Sequence, residues 1–263
     1  MGFTSEQVRA ALSLHLYDSA TLHAVMAELD EAHSTQATAE LPGAAVDLDR
    51  YDRCGFPEVI YAEGKPVSLV VEILIRQQQA GQSGFATRVS QDQADAVLET
   101  FPTARHNSLS RTLCVPIKAS EVSKGDPVVA VVSAGSCDAP VAQEAVETLR
   151  WMGVPATFIE DVGVAGPQRL QKHVPTLQQM KVVVCVAGME AALPSVLGGY
   201  VGCPVIGVPT SVGYGASLEG ITAMLSMLTC CASNVVTVNI DAGFRGGYVA
   251  GMIAKTADSN SNG

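Results

Sequence analysis

Residues 181–195 read KVVVCVAGMEAALPS, and residues 203–217 read CPVIGVPTSVGYGAS. Each opens with a short apolar run rich in Val, ends in small residues and leads into a stretch of helical character. The same unit appears upstream at Val128–Ser133 and Ala156–Glu160, and downstream at Val235–Ile240. Strands that are apolar on both faces need helices on both sides, which predicts a parallel sheet. Right-handed crossovers make it a doubly wound, flavodoxin-like α/β sheet, with ligand bound beyond the carboxyl ends of the strands. The small residues that end each strand let a ligand touch backbone, so the reading favours a small-molecule enzyme over a scaffold.

Working outward, helices are expected at Val141–Met152, from near Pro167, and at Ala191–Tyr200, Leu218–Thr229 and Gly246–Ala254. Ahead of this half lies a smaller α+β domain. It holds a helix over Val67–Gln79 that stops at Gly81, strands at Phe85–Ser90 and Thr112–Ile117, and a helix over Gln91–Glu99. Gly125-Asp126-Pro127 marks a boundary. The predicted division is an N-terminal helical segment and linker (1–46), the α+β domain (47–125), the α/β catalytic domain (126–256) and a disordered tail (257–263). The first segment comprises a helix over Ser5–Glu31, with Val8, Leu12 and Leu16 at helical spacing, and a polar loop from His33 to Ala45.

A chain of 263 residues with 48% hydrophobic content buries an ample core. Its net charge of −10 argues against nucleic-acid binding, which draws on clustered Lys and Arg. Any phosphate site must be built locally from N–H groups. Seven cysteines with no CxxC pair are neither a disulfide framework nor an ordinary zinc site, and a reducing compartment is expected. The opening residues lack the basic-then-apolar order of a secretory leader. No apolar run is long enough for a membrane span, so a cytoplasmic protein is expected.

Each candidate motif has a plainer reading beside its chemical one. Ser136 and Asp138, in SAGSCDAP after the first strand, can bind an oxyanion or simply cap a helix. Gly188, Met189 and Glu190 follow the third strand. Glu190 is either a water-activating or metal-linked carboxylate, or a residue that complements a helix dipole. Ser211, Tyr214 and Gly215 lie in a loop with more hydroxyls and glycines than a tight turn needs, and ligand contact is favoured there. Cys231 closes a helix, where the dipole disfavours a thiolate. It is either a small core residue or a nucleophile that needs a cationic substrate. Arg50, Arg53, Lys65, Arg88 and Arg105 make the N-terminal part the more basic half, either as a solvated face or as a contact for the anionic end of a nucleotide.

Several long motifs in one order carry a family resemblance: Arg53 with GFPEVIYAEGK, then TRVS, SAGSCDAPVA, EDVGVAGPQRL, VAGMEAALPSVLGG, CPVIGVPTSVGYGASLEG, MLTCCA and VNIDAGFRGGY. The C-terminal half resembles the PurE fold of N5-carboxyaminoimidazole ribonucleotide mutase. Residues 47–255 more closely resemble LarB, the nickel-pincer-nucleotide biosynthesis carboxylase. The mutase carries a Ser-Ala-His-Arg segment after its second strand, whose His is the acid/base; here FIEDVGVAG contains no His. The LarB resemblance places the family's cysteine at Cys231. Cys230 replaces the usual Ser or Thr before it, and Cys137 stands where Ser is common.

The resemblance implies conversion of nicotinic acid adenine dinucleotide, CO2 and water into pyridinium-3,5-biscarboxylic acid mononucleotide and AMP. Thiolate addition at C6 of the cationic ring makes C5 nucleophilic toward CO2, and the ring's charge offsets the unfavourable dipole. It further implies Cys231, Glu190 and Asp138 as catalytic residues, and Ser136, Gly188, Met189, Ser211, Tyr214 and Gly215 as substrate contacts. Mg2+ is the expected cofactor, at ligands the sequence does not identify. Mutase-fold proteins commonly form octamers, so a homo-octamer or other homo-oligomer is expected. The competing readings are a PurE-like mutase and a non-catalytic nucleotide-binding protein.

Overall fold

The computed structural model describes residues 38–117 and 125–259. The expected helix over Ser5–Glu31 lies outside them, as does most of the boundary segment around 118–124.

From residue 125 onward, β7 (Val129–Ser133), β8 (Ala156–Ile159), β9 (Val182–Ala187), β10 (Val205–Pro209) and β11 (Val235–Thr237) form one parallel sheet in the order β11-β10-β9-β7-β8. This is the doubly wound α/β arrangement expected, and the chain reverses direction across the sheet between β7 and β9. Strict alternation splits β9 between two cores. Val182, Val184 and Val186 pack with Ala142, Ala145 and Leu149 of α4 (Ala139–Trp151) and Ala250 and Ala254 of α9 (Gly243–Ser259). Val183 and Cys185 face Leu170, Leu177, Leu193, Leu197 and Met227 on the other side. Those residues come from α5 (Pro167–Gln171), α6 (Val174–Leu177), α7 (Leu193–Gly198) and α8 (Ile221–Leu228). Val182 to Val186 are wholly inaccessible, as a strand covered on both faces must be.

The smaller N-terminal unit has a mixed sheet, β3-β4-β6-β5 (Val59–Tyr61, Gly84–Thr87, Thr112–Val115, Arg105–Asn107), covered by α2 (Val67–Gln79) and α3 (Gln91–Thr100). α2 starts after Pro66 and buries Val70, Ile73 and Leu74 along one stripe. α3 opens with a capping box: Ser90 Oγ accepts the Gln93 N–H, and Gln93 Oε1 accepts the Ser90 N–H.

Three local expectations are corrected. The stretch read as a loop to Ala45 contains a hairpin, β1 (Thr38–Leu41) and β2 (Ala44–Asp47). Leu41 and Val46 point into the core over α2, and the turn is Pro42-Gly43 with φ of 92° at glycine, the type II signature. A short helix, α1 (Arg50–Cys54), follows, and its Arg53 pairs with Asp47 and Asp49 at 2.6 and 2.8 Å. The helix expected over Leu218–Thr229 is split into a 3-10 turn (Gly215–Gly220) and α8, because Leu218 and Glu219 are left-handed. The expected disordered tail is partly helix: α9 runs to Ser259, past the buried Ala254.

An aromatic cluster joins the two units. Phe85 stacks on Trp151 at 5.2 Å, Phe56 contacts Trp151 and Tyr248, and Trp151 Nε1 donates to Ser83 Oγ at 3.1 Å. Phe56 is itself part of the catalytic-half core. The closest helix pair is α4 on α9, where a Cβ on Gly247 would stand 2.6 Å from the Ala145 carbonyl oxygen. Helix propensity alone favours alanine over glycine by about 1 kcal/mol. The backbone clash outweighs it, so Gly247→Ala should lower unfolding stability by about 1–3 kcal/mol. A denaturant midpoint at or above wild type would contradict this packing.

Candidate active site

The turns that follow β7 and β9 diverge at the point where the chain reverses across the sheet, and a cavity of about 360 Å³ opens between them. It is lined by Gly135, Ser136, Asp138, Asp161, Arg169, Gly188, Met189, Glu190 and Val212, among others. Ser136, Asp138, Gly188, Met189 and Glu190, separated by some fifty residues of chain, are thus brought together.

Asp138 is the structural centre. Only 4% exposed, its carboxylate accepts the Thr210 hydroxyl at 2.7 Å and the Gly135 N–H at 2.9 Å, and also takes the Gly188 N–H. One side chain therefore ties the turns after β7, β9 and β10. Burial raises its pKa above the ordinary aspartate value, against the lowering effect of these three donors. Gly188 is required here, since a Cβ would stand 2.4 Å from the Val212 carbonyl oxygen. On either side of Glu190, Met189 and Ala191 are both left-handed, with φ of 53° and 51°, and this ends the strand sharply and delays α7 to Leu193. Glu190 projects from the kink into solvent at the cavity rim, with no ion pair among the described residues.

Ser211, Tyr214 and Gly215 line a second cavity of about 440 Å³, with Gly213, Ser217 and Glu219. Val212 borders the first cavity from the same loop. Tyr214 is 78% exposed. The Ser211 N–H donates to Asp241 Oδ1 at 2.9 Å, which fixes the start of the loop. A larger groove of about 820 Å³ lies between α2 and α3, where the Glu72–Arg76 pair and aliphatic side chains offer no catalytic grouping.

Cys231 is not in either cavity. α8 runs back from the carboxyl edge, so Cys230 and Cys231 lie at the amino edge of the sheet, just before β11. Asn234 holds that bend by donating to the Val201 and Cys203 carbonyls at 3.1 and 3.0 Å. Five residues of β10 separate the two edges, roughly 15 Å. Cys231 is exposed and Cys230 half-buried, whereas Cys185 is fully buried, its thiol pKa pushed well up by desolvation.

Arg169 and Asp161 were missed by sequence reasoning. Arg169, three residues after Gly166, is the cation of the first cavity and pairs with Asp161 at 2.5 Å. Thr210 and Asp241 were also missed, since their roles depend on contacts 72 and 30 residues away. Among the described residues no group of three or more His, Cys, Asp or Glu is placed to hold a metal ion, and no helix is long and apolar enough to cross a membrane.

The two-lobed α/β chain thus opens its cavity at the reversal point of a 2-1-3-4-5 sheet, and comparison with known proteins assigns its family. Residues 38–118 match the LarB/PurE-like N-terminal domain, and residues 128–262 match the AIR carboxylase family. An uncharacterised protein of Methanocaldococcus jannaschii is 38% identical over 80% of this chain and 83% of its own length. The N5-carboxyaminoimidazole ribonucleotide mutase of Pyrococcus abyssi is 31% identical over 46% of this chain and 69% of its own. A solved Treponema denticola PurE superimposes on 52% of this chain and 92% of its own, with a TM-score of 0.39 and 18% identity. The chain belongs to the LarB family, with a PurE-like C-terminal domain of the carboxylase/mutase type.

Because its folded-state pKa is raised, Asp138 binds a proton more tightly in the folded than in the unfolded chain. Its contribution to stability therefore falls as pH climbs from the unfolded-state value through the folded-state one. Carboxyl-carbon NMR should give Asp138 a midpoint above the usual ~3.9. Thr210→Val, which removes a donor that favours the anion, should move it higher still. A midpoint that drops in that variant would refute the assigned geometry.

Proposed function

We propose that this protein makes pyridinium-3,5-biscarboxylic acid mononucleotide, the opening product of nickel-pincer nucleotide synthesis. It carboxylates nicotinic acid adenine dinucleotide at pyridinium C5 and hydrolyses the phosphoanhydride to release AMP. The observation that carries the reading is the joining, in one chain, of a LarB-type N-terminal domain to an AIR carboxylase-type domain. No histidine lines the cavity among the described residues, which disfavours a mutase proton shuttle.

In this reading the Cys231 thiolate adds to C6 of the pyridinium, forming a C–S bond and a neutral dienamine. C5 then attacks CO2, the C5 proton passes to water, and C–S cleavage expels the thiolate and restores the aromatic ring. The dinucleotide's phosphates meet Ser136, the N–H groups of the turn after β7, and Arg169; Ser211, Tyr214 and Gly215 take the remainder. Glu190, exposed beside the phosphates, orients the hydrolytic water. Mg2+ is generally held by one or two carboxylates plus phosphate oxygens, a demand that Glu190 and the substrate meet without a protein cage, and it would neutralise charge on the phosphoanhydride.

In this reading a second copy of the chain brings Cys231 to the cavity. Ile221, Leu225 and Leu228 form an exposed apolar stripe along α8, joined by Val236 on the edge strand β11. Apolar faces of this kind mark interaction sites. In a homo-oligomer built on it, the amino edge that bears Cys231 closes on the cavity of a neighbour.

Mass spectrometry after incubation with the dinucleotide, bicarbonate and Mg2+ should show a mononucleotide heavier by CO2, together with AMP. Turnover of the aminoimidazole ribonucleotide instead would establish the mutase reading, and no product from either would leave a nucleotide-binding protein. Cys231→Ala should reduce carboxylation by about 10³-fold or more. Co-assembled Cys231→Ala and Asp138→Asn chains should recover part of the activity, since mixed oligomers contain sites with both groups intact. Failure of every mixture to recover activity would place the thiol and the cavity in the same protomer.

A further inference from the structure

The LarB-type N-terminal domain has no evident part in the chemistry, yet one of its side chains reaches the carboxyl edge of the catalytic sheet. Arg88 stands at the end of β4 in a left-handed conformation, φ 57°, that few non-glycine residues adopt without a compensating interaction. Its backbone is clamped: its carbonyl accepts Arg111 Nη2 at 3.1 Å, and the next residue, Val89, exchanges hydrogen bonds with Arg111. The guanidinium is thereby aimed across the seam. Nη2 donates to the Asp241 backbone carbonyl at 2.6 Å, and Nε lies 3.9 Å from the buried Glu144 carboxylate.

Asp241 is left-handed as well, with φ of 53°. Its N–H donates to the Pro209 carbonyl at the end of β10, and its carboxylate accepts the Ser211 N–H two residues further on. Glu144 takes the N–H groups of Gly243 and Phe244, in the first turn of α9. A single cation of the N-terminal domain thus holds the α9 end of the short segment between β11 and α9. That segment in turn fixes the start of the loop carrying Ser211, Tyr214 and Gly215.

We propose that Arg88 is a positioning residue: through Asp241 it fixes the Ser211–Gly215 loop in the geometry that receives the substrate. The N-terminal domain is then the brace of the catalytic domain's ligand loop rather than a separate module. The ligand role of the loop rests on the function proposed above, but the mechanical coupling does not.

Hydrogen–deuterium exchange on the full chain tests the coupling without turnover. In Arg88→Gln the Ser211 amide should exchange about tenfold faster or more, the scale of losing one charge-assisted hydrogen bond, while β9 amides stay protected. Trp151, the chain's single tryptophan, sits in the seam, and its unchanged emission would show the domains still docked. Arg88→Lys, which keeps a cationic donor, should restore part of the protection. Arg88→Gln combined with Asp241→Ala should exchange no faster than Asp241→Ala alone, because both changes act on one path. Wild-type exchange at Ser211 in Arg88→Gln, additive effects in the double variant, or faster exchange throughout β9 with altered Trp151 emission would each overturn the assignment. Absence of carboxylated product from the wild type would count against the proposed reaction and leave this coupling standing.

Discussion

Asp138 sits where three turns of the parallel sheet converge, and its carboxylate takes donors from all three. Burying a charge is costly unless its hydrogen bonds are made, so the arrangement holds only if Gly135, Gly188 and Thr210 all stay in place. Met189 and Ala191 are bent around this tie, and the cavity between the turns after β7 and β9 is the space it leaves. The chemistry ascribed to the rim residues, Ser136, Glu190 and Arg169, depends on this buried anchor more than on any contact among themselves.

A second constraint acts from outside the sheet. Phe56 enters the catalytic-half core, Trp151 is sandwiched against Phe85, and the Lys255 ammonium lies 4.5 Å from the Phe56 ring. These contacts give the seam between the units an aromatic centre, and Arg88 and Asn107 add polar bonds across it to Asp241 and Glu147. Fixed registration of this kind is what allows Arg88 to act at a distance.

The sheet was legible because its strands are buried on both faces and carry the pattern plainly. β9 spans the residues read from the sequence, and α2 lies between the Pro66 and Gly81 that punctuate it. The hairpin at Thr38–Asp47 was also signalled, by Pro42-Gly43, but was hidden by weak apolar content. The break within Gly215–Leu228 was not readable, since Leu218 and Glu219 are ordinary helix formers, yet both are left-handed here. In the site, the clustering of Asp138 with Glu190 followed from the fold. The place of Cys231 followed from it too: a helix after a parallel strand must run back to the amino edge.

The left-handed residues Asp161, Met189, Ala191, Leu218, Glu219 and Asp241 all lie at the carboxyl edge, none of them glycine. Each holds conformational energy of about 1 kcal/mol or more that a glycine would release. Evolution toward heat tolerance would find easy gains at these positions, and each gain would slacken the rim that shapes the ligand. Thermal robustness and catalytic competence in this chain are therefore set against each other along one edge of one sheet.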